Sequence, residues 1–297
     1  MNFFQELNFT FQEYYLVLRL LSCFLLGWWW CVSGSLLQWS TQNPLSCPVT
    51  LGITALPVSI WLACYMLGFD AEQAMVYIPV VGILLFLHYV YFKNLLLKFS
   101  TGKFFQRDQI IIMGVALNLS LAAFYSFYYF YHSSQGKVMP SSLWFGLLKN
   151  MDVTKFATLF FGSIIFLMIL KKLLQELSLL SFGKSFAANF VDVSLVEKKM
   201  LIFNSALMCL IIFTGGVFAF WGLLLPHLVR RISFFRRSLS LEIYAGGFMA
   251  GMIMMIADYM CFEFPLAGSE IPVGLLSSIF GPILLVTLLW KKSVKAV

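Results

Sequence analysis

Thr214-Gly-Gly-Val-Phe-Ala-Phe-Trp-Gly-Leu-Leu-Leu-Pro-His-Leu-Val-Arg-Arg231 is an apolar run broken by a glycine pair, then by Gly222 and Pro226, and closed by Arg230 and Arg231. Traced back to Met200, the run is about 31 residues long, or ~45 Å as one helix. A bilayer core of ~30 Å needs less. Basic pairs stand at both ends, Lys198-Lys199 before and Arg230-Arg231 after. A single crossing would put those pairs on opposite sides of a membrane. The pattern predicts instead a full span, a turn near Gly215-Gly216 and a short return helix. Broken helices of this kind occur in transporters, where the irregular backbone is shielded by protein or lines a cavity.

Composition sets the class. Of 297 residues, 61% are hydrophobic and 11% charged, with a mean hydropathy of +0.88. A soluble domain carries roughly 25% charged residues, so the expectation is an all-α polytopic membrane protein, one transmembrane domain over 1–297. The formal net charge of +7 raises nucleic acid as a partner. That reading fails, because the basic residues sit in short connectors between apolar runs and not on one polar face. Six scattered cysteines form no C-x-x-C pair, which fits small packing residues better than zinc or redox chemistry. No basic start or small-residue cleavage site marks a signal peptide.

Nine membrane segments are expected, at about Tyr14–Gln38, Leu51–Leu67, Ala74–Phe92, Ile110–Tyr131, Phe156–Leu170, Met200–Phe218, Trp221–Val229, Ile243–Phe262 and Val273–Trp290. Charge bias tests the layout. With the N-terminus outside, the inner side receives Lys93, Lys98, Lys103 and Arg107, then Lys171, Lys172, Lys184, Lys198 and Lys199. Arg230, Arg231, Arg236, Arg237, Lys291, Lys292 and Lys295 follow, sixteen of the 20 basic residues in all. Merging Met200–Val229 into one crossing would leave nine inside and eleven outside, so the broken helix is the better layout.

Catalytic constellations are absent from the sequence. His88, His132 and His227 lie in separate segments, and there is no H-E-x-x-H, G-x-S-x-G or G-x-x-x-x-G-K-[ST] pattern. The chain is therefore not expected to be an enzyme or to hydrolyse ATP itself. Neither a cofactor nor a metal is expected. Asp258 and His88 are the two intramembrane groups that an ion relay would use.

Several ordered motifs resemble one family. Gly34-Ser-Leu-Leu-Gln38, Asn43-Pro-Leu-Ser46 and Pro48-Val-Thr-Leu-Gly52 resemble the G-x-x-x-Q … N-P-L-A-x-P-x-x-L-G signature of FecCD-type permeases. Gly114-Val-Ala-Leu, Trp144-Phe-Gly146, Gly222-Leu-Leu-Leu-Pro-His-Leu-Val-Arg230, Ala257-Asp258, Glu270-Ile-Pro-Val-Gly274 and Gly281-Pro282 follow in the family's order. The resemblance runs from about residue 14 to the C-terminus. It implies a type II ATP-binding-cassette (ABC) importer permease in the bacterial cytoplasmic (inner) membrane, with a cytoplasmic C-terminus. Its implied partners are a second permease (homodimer or paired), two cytoplasmic ATPases, a periplasmic or lipid-anchored substrate-binding protein and membrane lipid. Such permeases serve ferric siderophores, haem and cobalamin. The family's first helix is expected to be absent here, which would account for nine segments and an outward N-terminus; loss of the helix and a start placed too far downstream both fit that expectation.

Site residues follow from the matched motifs. Gln38, Asn43, Pro44, Gly52, Gly222, Pro226, His227, Arg230, Asp258, Pro272 and Gly274 are expected to form the gate and its structural motif. Each also has a plainer reading: Asn43-Pro44 as a rigid connector, Arg230 as a topology anchor, His227 as a hydrogen-bonded packing residue. The connector 179–199 resembles the short helices that fit an ATPase groove, with Gly183, Lys184, Phe186, Ala187 and Phe190 as coupling residues. Phe186, Ala187 and Phe190 are expected to supply the apolar knobs at i, i+1 and i+4. Lys184 stands where the family has an acid, and Val191 where it has glycine. Arg19 aligns with an outer arginine that pairs with the binding protein; the plainer reading is an interfacial arginine reaching lipid phosphates. The family's second outer arginine is Phe262 here, followed by Glu263. Two alternative functions remain open at this point: an ion-coupled secondary carrier dependent on Asp258, and a manganese or zinc ABC permease.

Overall fold

The computed structural model describes residues 2–66, 107–134, 146, 148, 149, 151–180, 182–232, 234, 238–265 and 270–293. Among them run nine helices: α1 (Asn2–Thr41), α2 (Ala55–Met66), α3 (Arg107–Ser133), α4 (Val153–Leu180), the four-residue α5 (Lys184–Ala187), α6 (Val193–Gly215), α7 (Trp221–Val229), α8 (Leu239–Glu263) and α9 (Val273–Ser293). Helix α8 carries a π turn over Glu242–Gly246. Three of them, from Tyr14 to Thr41, Val153 to Leu180 and Leu239 to Glu263, are long and apolar enough to cross a membrane.

Helix α1 is the axis of the bundle, in contact with α4, α6, α7 and α8. Its middle is buried on every side, with Leu26, Trp29, Trp30, Cys31, Val32, Leu36 and Leu37 all in the core. A helix that is apolar all round belongs in such a place. In lipid there is no hydrophobic drive between helices, so association rests on close packing and interhelical hydrogen bonds. Both are present. A Cβ on Gly34 would fall 1.8 Å from the Gly222 carbonyl oxygen, so α1 and α7 meet backbone to backbone. Along α8, Gly247 receives Trp28 and Gly251 receives Phe24, while Gly27 of α1 faces Met254. Trp29 donates to Ser163 at 2.7 Å and Ser33 to Asn204 at 2.5 Å, tying α1 to α4 and α6.

Contacts along α1 give each helix a direction. Helix α6 passes Ser33 at Asn204 and Leu26 at Gly215, so it runs antiparallel to α1. Helix α7 passes Gly34 at Gly222 and Gln38 at Arg230, so it runs parallel to α1. The chain therefore reverses between α6 and α7. Gly216 (φ 83°) ends α6 in a conformation that a side chain rarely adopts, and Phe220 starts α7 from the left-handed region (φ 65°). The broken helix expected from Met200 to Val229 is the observed one, and the return helix spans Trp221–Val229.

Other boundaries differ from expectation. Residues 48–54 form turns, so the second helix begins at Ala55 and not Leu51. Helix α4 continues ten residues past Leu170, because Leu173, Leu174, Leu177 and Leu180 keep one face buried while Lys171 and Lys172 lie on the other. Helix α6 begins at Val193, where Asp192 caps its first turn by accepting from Ser194 N and Leu195 N. The span expected at Ala74–Phe92 lies outside the described residues, as do Arg236 and Arg237.

Candidate functional site

Two polar clusters fasten α1 to its neighbours, one near each end of its apolar stretch from Tyr14 to Thr41. Arg19 and Gln38 are nineteen residues apart on α1, about 28 Å along the axis, which is close to one bilayer core. At the Arg19 end, Asp258 of α8 accepts from Arg19 Nε at 2.8 Å and from Nη2 at 3.1 Å. Nη1 donates to Glu270, just before α9, at 2.7 Å. Phe262 lies over the guanidinium, 5.0 Å from ring centre to Cζ. Tyr15, one turn earlier, donates to the backbone carbonyls of Leu148 and Lys149.

This geometry corrects the expectation for Arg19. A docking arginine or a lipid-facing one needs an accessible head, whereas Arg19 is 0% exposed and its three nitrogens point at carboxylates of its own chain. An apolar setting forces that outcome, since a lone buried charge is costly and a bidentate partner offsets it. Phe262, lying over the guanidinium, completes the enclosure.

At the opposite end, Arg230 follows the last residue of α7. Its Nε donates to Glu242 Oε1 at 2.8 Å, and its Nη1 to Gln38 Oε1 at 2.5 Å. The other Glu242 oxygen accepts from Trp39 Nε1 at 3.1 Å, and the Trp39 ring lies 5.7 Å from the Arg230 Cζ. Glu242 is 2% exposed and starts the π turn, a wider coil that often marks functional positions. Gln38 and Arg230, expected together in one motif, are indeed side by side. Glu242 and Trp39 were not foreseen; the available signal was an acid inside the apolar stretch Leu239–Ala245, twelve residues after Arg230.

The turn after α1 is built by its own side chains. Asn43 Oδ1 accepts from Leu45 N at 2.9 Å, Asn43 O accepts from Ser46 N at 3.1 Å, and Pro44 fixes the corner between them. Gly52 lies against Gly114 of α3, and Asn118 one turn on donates to Val49 O at 2.6 Å. Pro226 touches the Gly34 position inside α7. His227 Nδ1 meets Leu223 O at 2.8 Å, matching the packing reading. Pro272 opens α9 by accepting from Leu275 N, and Gly274 O accepts from Ser277 and Ser278. Asp258 belongs with Arg19, at the other end from Gln38 and Arg230.

The connector is a hairpin tip. Lys199 on α6 holds Glu176 on α4 at 2.6 Å, pinning the two stems. Gly183 (φ 105°) makes the turn into α5 with open space around it. Ala187 is 0% exposed, so it plugs the tip and is not the surface knob expected. Its place is taken by Phe182, 72% exposed, whose ring meets that of Phe186 at a tilt, 5.8 Å between centroids; Phe186 in turn meets Phe190 at 5.1 Å. Three exposed phenylalanines at i, i+4 and i+8 thus form one ridge. The backbone of Lys184 starts α5.

The profile of the FecCD transport family matches residues 3–291. The hemin transport system permease protein HmuU of Yersinia pestis is 26% identical over 270 residues, covering 89% of this chain and 78% of its own. The vitamin B12 import system permease protein BtuC of Vibrio vulnificus is 24% identical, with 89% and 77% covered. The Fe(3+)-citrate import system permease protein YfmE of Bacillus subtilis is 26% identical, with 92% and 80% covered. A solved inward-facing conformation of a metal-chelate type ABC transporter superposes with a TM-score of 0.70 over 93% of this chain and 85% of that one, at 19% identity, which establishes a shared fold.

Proposed function

This chain belongs to the FecCD transport family, and on that premise we propose that it is the permease subunit of an ABC importer for a metal chelate: a ferric siderophore, haem or a corrinoid. The observation that carries the reading is the family match over nearly the whole chain, with relatives named for hemin, vitamin B12 and ferric citrate. The importer sits in the bacterial cytoplasmic membrane. Its energy comes from two ATPase subunits, since the chain lacks a phosphate-binding loop, and a substrate-binding protein delivers the cargo. Two permease copies enclose the path.

Sidedness supports the assignment of partners. Lys171, Lys172, Lys198, Lys199, Arg230 and Arg231 all belong to the end of the bundle that carries the connector, a charge bias that supports a cytoplasmic placement of that end. The ridge of Phe182, Phe186 and Phe190 then faces the ATPase. An exposed aromatic ridge on a pinned hairpin suits a lever that must be gripped without bending. An ion-coupled carrier required Asp258 as its relay acid, but both oxygens of that carboxylate are engaged by Arg19.

The test is substitution of the ridge. In the assembled complex, Phe182→Asp or Phe186→Asp abolishes substrate-stimulated ATP hydrolysis, while the protein still inserts and stays folded. Undiminished stimulation and uptake in both variants would refute the coupling assignment.

A further inference from the structure

The two clusters on α1 are built differently, and the difference concerns motion. At the Arg19 end all three guanidinium nitrogens make directed bonds, two to Asp258 on the regular helical part of α8 and one to Glu270 just before α9, with the arginine wholly buried. At the Arg230 end the arginine is 24% exposed, and the buried Gln38 Nε2 has no acceptor among the described residues. Arg230 Nη2 lies 2.6 Å from Glu242 without a directed bond. The surrounding backbone is irregular too. Glu242 sits on the π turn, and Gln42, just past α1, is left-handed at φ 55°. Such backbone strain persists where surrounding structure holds it, often at switches.

Helix α7 is placed between these features. At its start are the two unusual backbone positions, Gly216 and Phe220, and the tight approach of Gly222 to Gly34. At its far end is Arg230, eight residues or about 12 Å from Gly222. A nine-residue helix with a close pivot at one end and a partly satisfied ion pair at the other is a short lever.

We propose that Glu242, acting through Arg230 and Gln38, is a latch that closes α7 onto α1 and α8 in one state of the transport cycle and releases it in another. The Arg19–Asp258–Glu270 cluster stays shut throughout, so α1 and α8 move as one body and α7 moves against them. Glu242 is a positioning residue: it touches no cargo and sets where Arg230 sits. The inference rests on the transport reading above and adds to it the identity of the moving part.

Hydrogen-exchange mass spectrometry on the full chain with its ATPase partner in lipid nanodiscs tests this. In the wild type, exchange in a peptide covering 221–232 should differ about tenfold between the nucleotide-free and the ATP–vanadate states, the size expected for one charge-assisted bond made or lost. A peptide covering 14–24 should not differ. Glu242→Gln should hold 221–232 at the fast rate in both states without changing 14–24. The exchanged pair R230E/E242R should restore the nucleotide response, an outcome that a merely structural role would not give. If 180–195 responds to nucleotide but 221–232 does not, the latch is refuted and the transport reading stands. If Glu242→Gln speeds exchange equally along the whole of α1, Glu242 is structural and the latch is refuted. If no segment of the wild type responds, the transport reading itself fails, and the latch with it.

Discussion

The two ends of the apolar stretch of α1, Tyr14 to Thr41, solve the same problem with opposite emphasis. Each brings an arginine and a carboxylate into an apolar bundle, about one bilayer thickness apart. At the Arg19 end each guanidinium nitrogen donates to a carboxylate and Phe262 covers the group. The Arg230 end leaves the buried Gln38 Nε2 without an acceptor among the described residues, exposes part of the guanidinium and sits on irregular backbone. Burial with full satisfaction favours permanence, whereas partial satisfaction near solvent lowers the cost of opening. The first end is a staple between α1 and α8. The second holds a short helix in a position it can leave.

The largest effect is expected at the staple. Asp258→Ala strands a wholly buried guanidinium with Glu270 alone, a loss of about 3–5 kcal/mol. Little folded protein should then be recovered, as measured by detergent size-exclusion and a thermal melt. The double variant R19M/D258L should recover most of the yield, because paired apolar replacement of a buried ion pair is often neutral. At the other end, Glu242→Ala should cost less, about 1.5–3 kcal/mol, since Arg230 can turn its head to water. A loss as large as that of Asp258→Ala would erase the contrast between the ends.

Outside the bundle the effects shrink. Phe182→Asp should leave the melting temperature close to wild type, with an effect within about 0.5 kcal/mol, because the ridge is exposed. The smallest effect is at Asp192, whose carboxylate is held below the ordinary range chiefly by the Ser194 hydroxyl, then by the Leu195 backbone N–H. Its folded value lies below its unfolded one, so the cap contributes at neutral pH and is lost as pH falls through the lowered value. Asp192→Ala should therefore speed hydrogen exchange over 193–199 at pH 7, and the difference from wild type should fade on acidification. A difference that persists undiminished in acid would show that the carboxylate charge is not what caps α6.

How much of this was legible beforehand depended on the range of the signal. The reversal at Gly215-Gly216 and the helix Trp221–Val229 could be read because glycine and proline punctuate locally, and because basic residues record sidedness. The turn at Asn43-Pro44 was legible for the same reason. The continuation of α4 past Lys171-Lys172 was missed because paired lysines look like a span end, although Leu173, Leu174 and Leu177 keep the helical period. Ala187 looked like a knob by spacing, and only packing reveals it as a plug with Phe182 beside it. The partner of Arg19 was illegible in principle: Asp258 is 239 positions away. No local pattern distinguishes an arginine that waits for another protein from one already satisfied within its own chain.

The most direct measurement is uptake into proteoliposomes that hold this chain with its ATPase and binding protein, using labelled haem, ferric siderophore and cobalamin in parallel. The account predicts accumulation of one of these chelates that requires internal or external ATP on the ATPase side and vanishes when the ATPase is omitted. Accumulation driven by an ion gradient in vesicles holding the chain alone would contradict it.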